Sequence, residues 1–422
     1  MDVNNHPCFN DKIRQQYARI HLPVASRCNI QCRFCNRKFD CVNESRPGVT
    51  SALLSPDQAI GYLKEVVALK PNISVVGIAG PGDPFANADE TMETLSLVRE
   101  NFPEIMLCVA SNGLNVLPYV DRLKQVNVSH VTITVNAIDI AVASQIYAWI
   151  RVGKRVVSGE NGVKTLLGNQ IAAIKALKQA GVTVKVNSII IPGINDHHIE
   201  AVAERMKELK VDILNCVAYY PNEGAIFKDI EEPSPEMIKD IRKKAGKHIR
   251  QMHHCTRCRA DAVGLLGEKT DEALMQKLMS WNTTEKKGTP LSIVPKKIAV
   301  ASMEGMLINQ HLGEAASLYI YGKHGDKIAL LETRSTPDRG SGIRRWQNLS
   351  DSLKDCDTLL VSGIGQNPLA VLSENGMRVY EMEGMIHDAV NAIFNGQPIN
   401  HMIKRDMTAC GAGCQGNGNG CG

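Results

Sequence analysis

The stretch HLPVASRCNIQCRFC, residues 21–35, decides the fold of the first half of this chain. Its apolar opening predicts a buried strand, and three cysteines follow at Cys28, Cys32 and Cys35. Three thiolates on one short loop suit three irons of a 4Fe–4S cube and leave the fourth iron open. A zinc site would need a fourth ligand nearby, which Cys41 would supply, so zinc remains an alternative on spacing alone.

Apolar runs alternate with helical periods on both sides of this loop. Six near-continuous apolar runs predict buried parallel strands at His21–Ala25, Ile73–Ala79, Ile105–Ala110, His130–Val135, Val182–Asn187 and Val211–Val217. Helices are predicted at Pro56–Lys70, Ala88–Asn101, Val116–Gln125, in a longer region ending near Ala180, at His197–Leu209 and near Pro235–His253. The pattern predicts an α/β fold, a partial (βα)6 barrel of the TIM type, with its site at the carboxyl ends of the strands.

A second, smaller α/β domain is predicted to follow. Its strands are expected at Ile298–Ala301, Ser317–Tyr321, Lys327–Thr333 and Thr358–Ser362, and its helices near Ser350, at Pro368–Asn375 and at Met385–Phe394. The expected boundaries are a first domain over residues 1–270, a linker over 271–296, a second domain over 297–397 and a tail over 398–422. The tail ends in ACGAGCQGNGNGCG, which is too rich in glycine to bury a core and predicts a mobile segment.

Composition excludes several classes of protein. The 422 residues contain 48 Lys and Arg against 44 Asp and Glu, and a net charge of +4 indicates no nucleic-acid or membrane surface. Apolar runs fall short of the roughly 18 residues that a membrane helix needs, and the polar amino terminus does not resemble a secretory signal. We therefore expect a cytoplasmic protein, in which thirteen cysteines indicate metal ligation rather than disulfides.

The cysteine loop resembles the signature of the radical S-adenosylmethionine (SAM) superfamily, because Phe34 precedes the third cysteine and the loop follows the first strand. In that superfamily the amino and carboxylate groups of SAM chelate the open iron, and an electron from the cluster cleaves SAM to a 5′-deoxyadenosyl radical. The resemblance implies that Cys28, Cys32 and Cys35 hold a SAM-binding 4Fe–4S cluster, and that SAM is the second cofactor.

The same resemblance implies SAM contacts at the ends of the second to fifth strands. Glycines in IAGPGDP, residues 78–84, let a backbone approach a ligand closely. The candidate contacts are Gly80, Gly82, Asp83, Ser111, Asn112, Thr134, Asn136, Val186 and Asn187. For each of them a structural turn or cap is the alternative.

The remaining cysteines leave two kinds of site open. Cys108 lies in a strand, where a lone cysteine is usually a small buried hydrophobe. Cys255 and Cys258 have the spacing of metal ligands but are only two. They predict either half a zinc site completed by His253 or His254, or a second iron–sulfur site shared with Cys108.

A closer resemblance extends from Met1 to about Gly267. The segments HPCFNDKIRQQYARIHLPVASRCNIQCRFCNRKFDCVNESRPGV and AGPGDPFAN, with the late cysteine pair, are similar to the NifB family of radical SAM maturases, which make the iron–sulfur core of the nitrogenase cofactor. The resemblance implies two further 4Fe–4S clusters as substrates. Ligands for the first would be His6, Cys8 and Cys41, and ligands for the second would be Cys108, Cys255 and Cys258.

Family membership would also give roles to residues near these ligands. Glu44 is expected to be a weak ligand or a proton acceptor, and Arg46 to offset the negative charge of the clusters. A loop cap and a solvated ion pair are the alternatives. In the family the substrate clusters are fused, with a carbide from a SAM methyl group and an added sulfur, into an 8Fe–9S–C precursor.

The second domain resembles the NifX/NafY-type carriers of cofactor precursors, which implies a ribonuclease H-like fold. The loop QHLG, residues 310–313, is similar to the carriers' cluster-binding loop, so His311 is a further candidate ligand, with a structural histidine as the alternative. The turn Ser362–Pro368 would present amides to an anionic cluster. Implied partners are iron–sulfur cluster donors, downstream carrier or scaffold proteins and a small electron-transfer protein.

Other functions remain open at this point. A radical SAM enzyme with electron-relay clusters, acting on a peptide or small molecule, would keep its auxiliary clusters during turnover. A non-catalytic iron–sulfur scaffold would bind clusters without cleaving SAM. A zinc-binding regulator is the third alternative.

Overall fold

The computed structural model describes residues 6–36, 40–41, 50, 52–153, 155–256, 258–268, 271–283, 295–303, 305–324, 327–397, 399 and 402–403. The chain divides into two compact units, Met1–Asn282 and Thr283–Gly422. Glu44, Arg46 and almost all of the predicted tail lie outside the described residues. None of the helices in the described ranges is long and apolar enough to cross a membrane.

Strands and helices alternate through the first unit. Its strands are β1 (Ala18–His21), β2 (Ile30–Cys32), β3 (Ile73–Ile78), β4 (Met106–Ser111), β5 (Val128–Thr134), β6 (Tyr147–Val152), β7 (Arg155–Val157), β8 (Thr183–Ile190), β9 (Ile213–Ala218) and β10 (Val263–Gly264). Its helices are α1 (Pro56–Leu69), α2 (Ala88–Asn101), α3 (Val120–Gln125), α4 (Ile140–Ile146), α5 (Glu160–Gln179), α6 (Ile199–Glu208), α7 (Pro235–Ala245) and α8 (Glu272–Thr283).

The main sheet has seven strands in the order β10-β1-β3-β4-β5-β8-β9. Six of them, namely β1, β3, β4, β5, β8 and β9, run parallel to their neighbours. Strand β10 pairs antiparallel with β1 at one edge. Apolar side chains of these strands and of the covering helices form one large core. This arrangement confirms the predicted partial (βα)6 barrel, and it places the carboxyl ends of the six strands along one edge.

Helix α1 begins where the sequence predicts. The Ser55 hydroxyl accepts a hydrogen bond from the backbone N–H of Gln58, and the Gln58 side chain accepts one from the Ser55 N–H. This reciprocal capping box, with Pro56 in the first turn, satisfies donors that the helix itself leaves unpaired.

Three predicted elements of the first unit were placed wrongly. The first strand is Ala18–His21 rather than His21–Ala25, because its pairing with β3 begins at Ala18; the later residues continue it only as an extended segment. The last predicted helix ends at Ala245, well before His253. The long helical region ending near Ala180 is interrupted by the β6–β7 hairpin.

The hairpin forms a small second sheet with the cysteine loop. Strand β6 pairs antiparallel with β2, so that Ile30 lies opposite Ile150 and Cys32 opposite Tyr147. Helical periodicity fails to predict this hairpin because its burial depends on a partner strand far earlier in the chain.

The first part of the predicted linker belongs to the first unit. Helix α8 packs on α1, where the Trp281 Nε1–H donates to the Glu65 carboxylate at 3.1 Å and Lys277 Nζ lies 2.7 Å from the same carboxylate. The hydrogen bond from Lys277 lowers the pKa of Glu65. Linker residues 284–294 lie outside the described part of the chain.

Gly61 on α1 should tolerate no side chain, because a methyl group there would overlap the Trp281 ring. We expect Gly61→Ala to destabilise the first unit by about 1–3 kcal/mol, the usual cost of overpacking. Gly168→Ala on α5 is the matched control, since no atom lies within 4 Å of the added methyl. It should stabilise by about 0.5–1 kcal/mol through helix propensity. Urea titrations followed by tryptophan fluorescence measure both, and equal effects would contradict this packing.

The second unit is the smaller α/β domain that the sequence predicts. Its strands are β11 (Lys297–Val300), β12 (Ser317–His324), β13 (Lys327–Ser335), β14 (Thr358–Val361) and β15 (Arg378–Glu381). Its helices are α9 (Ile343–Ser352), α10 (Gln366–Glu374) and α11 (Ile386–Phe394). The sheet order is β13-β12-β11-β14-β15, with β12 antiparallel to both neighbours. Strand β15 was missed in the sequence because it is only four residues long, although their alternating burial is that of a half-buried strand.

Candidate functional site

Two adjoining cavities lie against the main sheet. The smaller lies at the carboxyl ends of its strands, near Ser111 and Thr134, and the larger is lined by residues within the strands, such as Cys108 and Lys185. The larger encloses about 740 Å³ and the smaller about 410 Å³, both including their open mouths. Ala110, near the end of β4, lines both of them. The smaller cavity therefore occupies the edge that the parallel topology predicts, and the larger cavity adjoins it deeper along the strands, with a common wall at Ala110.

The smaller cavity is lined by the cysteine triad. Cys28, Cys32 and Cys35 face it together with Cys41. Two interactions shape the loop that carries the triad: the Cys35 N–H donates to the Cys32 carbonyl at 3.0 Å, and Gln31 Nε2 donates to the carbonyls of Cys32 and Cys35 at 3.0 and 2.8 Å. Together with the β2–β6 pairing, these bonds hold the three thiols on one side of the cavity.

Asp83 joins the loops that follow β3 and β4. Its buried carboxylate accepts hydrogen bonds from Ser111 Oγ at 2.9 Å, from the Asn112 N–H at 2.7 Å and from the Phe85 N–H at 2.9 Å. Burial raises the pKa of Asp83 while these three donors oppose the rise. Asp83, Ser111 and Asn112 all line the smaller cavity, and Asp83 fixes the positions of the other two.

The glycine-rich turn is pinned to the chain just before Cys28. The N–H groups of Gly82 and Asp83 each donate at 2.7 Å, to the carbonyls of Ala25 and Arg27 respectively. The Gly80 backbone packs closely on Ala260, because a methyl group added at Gly80 would lie 3.1 Å from the Ala260 Cβ. The close approach that the sequence predicts for a ligand is thus made to a protein side chain. Gly82 lines the smaller cavity.

The other predicted SAM contacts are divided between the cavities and the core. Thr134 lines the smaller cavity and Asn187 the larger. Asn136 lines neither, because its buried amide accepts from the Ile189 N–H at 2.9 Å and donates to the Tyr147 hydroxyl at 3.3 Å. The Val186 side chain packs in the hydrophobic core. The structure thus does not bring Asn136 or Val186 to a cavity wall.

Six side chains with donors suited to iron line the larger cavity. They are His6, Cys8, His21, Cys108, Cys255 and Cys258. Five of them are among the six residues that the sequence assigns to the substrate clusters, and they meet here from both ends of the first unit. The sixth assigned residue, Cys41, lies at the smaller cavity beside the triad.

The two imidazoles present different atoms to their surroundings. His6 Nδ1 accepts a hydrogen bond from the Cys8 N–H at 3.1 Å, so the proton of the neutral ring is on Nε2, which has no partner among the described residues. His21 Nδ1 lies 3.0 Å from the Arg259 carbonyl oxygen, which can only accept, so His21 Nε2 keeps its lone pair. Burial, and then Arg19, lower the pKa of His21 to about 4 and keep this ring neutral.

His21 was missed as a site residue in the sequence. Its signal was its position as the last residue of β1, since parallel sheets place ligands at the carboxyl ends of strands. An imidazole whose Nδ1–H donates to a backbone carbonyl is the usual form of a histidine that binds a metal through Nε2.

Two buried cations face the thiols of the larger cavity. Arg19 Nε and Nη2 donate to Cys258 Sγ at 3.2 and 3.0 Å, and Lys185 reaches the same cavity from β8. Burial raises the pKa of the Cys8 thiol, and Lys185 opposes that rise. Four thiols and two imidazoles provide donors for iron, and the two cations beside them offset negative charge. This lining fits an anionic iron–sulfur group.

This donor set does not match a site for a single metal ion. Within the described ranges, no three His, Cys, Asp or Glu side chains converge to hold one ion. Each thiolate of an iron–sulfur cube binds a different iron, so its ligands do not need to converge. Cavity lining and donor chemistry therefore fit a cluster better than mononuclear zinc.

The histidines proposed for a zinc half-site face elsewhere. His254 Nε2 lies 3.0 Å from the Pro7 carbonyl oxygen, and His253 is exposed. Neither histidine lines the larger cavity, whereas Cys108 does, together with Cys255 and Cys258. Of the two possibilities left open by the sequence, this grouping favours the cluster shared with Cys108.

In the second unit, His311 has a structural role. Its Nδ1 accepts a hydrogen bond from the Gly313 N–H at 3.0 Å, and its backbone forms a bridge with Gly363 in the Ser362–Pro368 turn. The ring packs so closely on Gly363 that a methyl group there would lie 2.8 Å from it. The two loops predicted to bind a cluster are therefore neighbours, and ligation by His311 remains a prediction.

Comparisons with known proteins divide the chain as the structure does. Residues 22–206 match the model of the Radical SAM superfamily, and residues 295–396 match the model named Dinitrogenase iron-molybdenum cofactor. The FeMo cofactor biosynthesis protein NifB of Chlorobaculum tepidum is 50% identical, over 100% of this chain and 99% of that protein. The proteins of the same name in Klebsiella pneumoniae and Azotobacter vinelandii are 38% and 34% identical, over 88% and 93% of this chain and 86% and 88% of theirs.

Proposed function

Because the chain belongs to the family of the FeMo cofactor biosynthesis protein NifB, we propose that it fuses two 4Fe–4S clusters into the core of a nitrogenase cofactor. A carbide derived from the methyl group of SAM and one added sulfur would complete an 8Fe–9S–C product. Membership of the family supports a radical SAM role in cofactor biosynthesis, and the finer chemistry is our proposal.

The observation that carries the proposal is the donor set of the larger cavity. Six side chains with donors suited to iron line one cavity that adjoins the cysteine-triad cavity at Ala110. Six donors are enough for two cubes with three protein ligands each. Two cubes in one cavity would be close enough to be fused, and both would lie next to the site of SAM cleavage.

Incomplete ligation supports a substrate role for these clusters. A cluster that serves only structure or electron transfer is normally held by four cysteines, whereas three ligands leave one iron able to react. Three ligands also make release of a finished product less costly. We propose that the two sets of ligands come from His6, His21 and the four thiols that line the larger cavity. The assignment of Cys41 to a substrate cluster rests on the family resemblance alone.

The chain's own residues would prepare the smaller cavity for its cofactors. A 4Fe–4S cluster, held by the thiolates of Cys28, Cys32 and Cys35, would supply the electron that cleaves SAM. Gln31 and the β2–β6 pairing hold the three thiols, and Asp83 keeps Ser111 and Asn112 at the opposite wall. Cys32, Asp83, Ser111 and Asn112 are buried, and their low exposure would keep water from a reactive radical.

A labelling experiment tests the proposal. Full-length protein loaded anaerobically with iron and sulfide is given a reductant and SAM carrying a labelled methyl carbon. We expect the electron paramagnetic resonance signals of two clusters to disappear and one to persist. The label should appear in a larger iron–sulfur species that can be extracted from the protein.

Two other outcomes would contradict the proposal. Persistence of every auxiliary signal, with the label on an added peptide or small molecule, would establish the electron-relay alternative. Cluster binding without SAM cleavage would establish a scaffold.

We also propose that the second unit holds or passes on the product. Cluster donors would act before this step and carrier proteins after it, and a small electron-transfer protein would supply the electrons.

The two imidazoles provide a sharper prediction about ligation. Because His21 Nε2 carries a lone pair and His6 Nε2 carries the proton, His21→Ala should lower the iron content of the larger cavity more than His6→Ala. Iron counting and pulsed resonance detection of nitrogen coupled to a cluster measure this difference. A nitrogen signal lost in His6→Ala and retained in His21→Ala would reverse the assignment.

A further inference from the structure

Arg19 is a buried arginine bonded to one of the cavity thiols. Its side chain is 2% exposed, and its Nε and Nη2 groups both donate to Cys258 Sγ, at 3.2 and 3.0 Å. Its third nitrogen, Nη1, donates to the carbonyls of Gly264 and Leu265, the latter at 2.8 Å. The guanidinium is thus held on one side by backbone and directed on the other at a single sulfur.

The backbone fixes Arg19 in this position. Arg19 lies opposite Gly264 in the antiparallel pairing of β1 with β10, so strand and side chain bind the same turn. Among the described residues Arg19 forms no ion pair with a carboxylate. Glu268, the nearest acidic group in the turn, bonds instead with the Leu265 N–H and with Lys70.

A purely structural arginine would direct its N–H groups at carbonyl oxygens. Arg99 on α2 does so, since it donates to the carbonyls of Ile105, Val126 and Asn127. Arg19 differs because two of its donors reach a sulfur that faces the larger cavity. Hydrogen bonds from a cation to a sulfur stabilise negative charge on it and orient it.

We propose that Arg19 is a positioning residue for Cys258, and that it sets the reduction potential of the cluster that Cys258 binds. The inference rests on the proposed function, because it needs a cluster in the larger cavity. Hydrogen bonds to a ligand sulfur and a nearby positive charge both favour the more reduced, more negative cluster. Arg19 therefore raises that cluster's potential and holds Cys258 in the orientation that binds iron.

Three variants of the full-length protein test this role, all in a Cys32→Ala background that removes the SAM-binding site. Arg19→Gln removes the charge and the fork of donors, and we expect it to lose the iron of about one four-iron cluster. Arg19→Lys keeps the charge with fewer aligned donors. It should keep the iron but shift the midpoint potential of one cluster to a more negative value. Arg99→Lys, the matched control, should change neither quantity.

A double-mutant comparison separates positioning from folding. With Cys258→Ala also present, Arg19→Gln should cause no further loss of iron, because both changes remove the same cluster. An equal loss of iron from Arg19→Gln with and without Cys258 would show that Arg19 acts only through the carbonyls, and would overturn the inference. Wild-type iron content and potential in Arg19→Lys would overturn it as well, and this holds even if Arg19→Gln fails to fold.

The outcomes for the two proposals are distinct. If the parent protein carries no cluster in the larger cavity, both proposals are wrong. If clusters load and their potential responds to Arg19, but methyl carbon never enters an iron–sulfur product, the proposed function fails and the role of Arg19 stands.

Discussion

Cys32→Ala should abolish SAM cleavage while the larger cavity still loads its clusters. Cys32 is one of three thiols that the β2–β6 pairing and Gln31 hold at the smaller cavity. Two remaining thiols rarely hold a cube, and no iron is then available to bind SAM. We expect formation of 5′-deoxyadenosine to fall below detection, measured chromatographically on protein reduced with dithionite, and iron to fall by about four atoms per chain.

Cys216→Ala is the matched control for this variant. Cys216 is a buried strand cysteine that bonds to Gln251 and lines neither cavity. Its replacement should leave both SAM cleavage and iron content unchanged. Formation of 5′-deoxyadenosine at the parent rate by Cys32→Ala would show that the triad assignment is wrong.

Cys108→Ala and Cys255→Ala should each lower the iron content by about one four-iron cluster. Cys108 approaches the larger cavity from β4, and Cys255 from the turn after α7, so their grouping depends on the tertiary fold. Each variant leaves the triad intact, and SAM cleavage should therefore continue. Product formation should stop, because one of the two clusters to be fused is missing.

A zinc site at the cysteine pair makes the opposite prediction. His254→Ala removes the bond to Pro7 and one proposed zinc ligand, but no donor of the larger cavity. It should therefore leave the iron content unchanged. About one zinc per chain in protein isolated without oxygen, lost in both His254→Ala and Cys255→Ala, would rule out the iron–sulfur assignment.

The parts of the fold that depend on local pattern were predictable from the sequence. Ser55 and Pro56 mark the start of α1 by capping chemistry, and five of the six apolar runs correspond to parallel strands, while the first overlaps β1 only at His21. The β6–β7 hairpin was not predictable, because Tyr147 and Ile150 become strand residues only through pairing with β2. A short segment with a distant partner carries little of that information in its own residues.

The site shows the same division. The triad is local, and its spacing favoured a cluster, with zinc as the alternative. The meeting of Cys8, Cys108 and Cys258 in one cavity needed a family resemblance, because no spacing relates residues brought together by a sheet. His21 escaped notice because its role depends on the carbonyl of Arg259, which fixes which ring nitrogen carries the proton.

The pairing of β2 with β6 also orders events during synthesis on the ribosome. The loop carrying Cys28 and Cys32 acquires its partner strands only after residue 157 has left the exit tunnel. The larger cavity gains Cys258 about a hundred residues later, which takes on the order of 5–20 seconds at typical elongation rates. The residues that line the smaller cavity, which reach to Thr134, are therefore synthesised before the last thiols of the larger cavity.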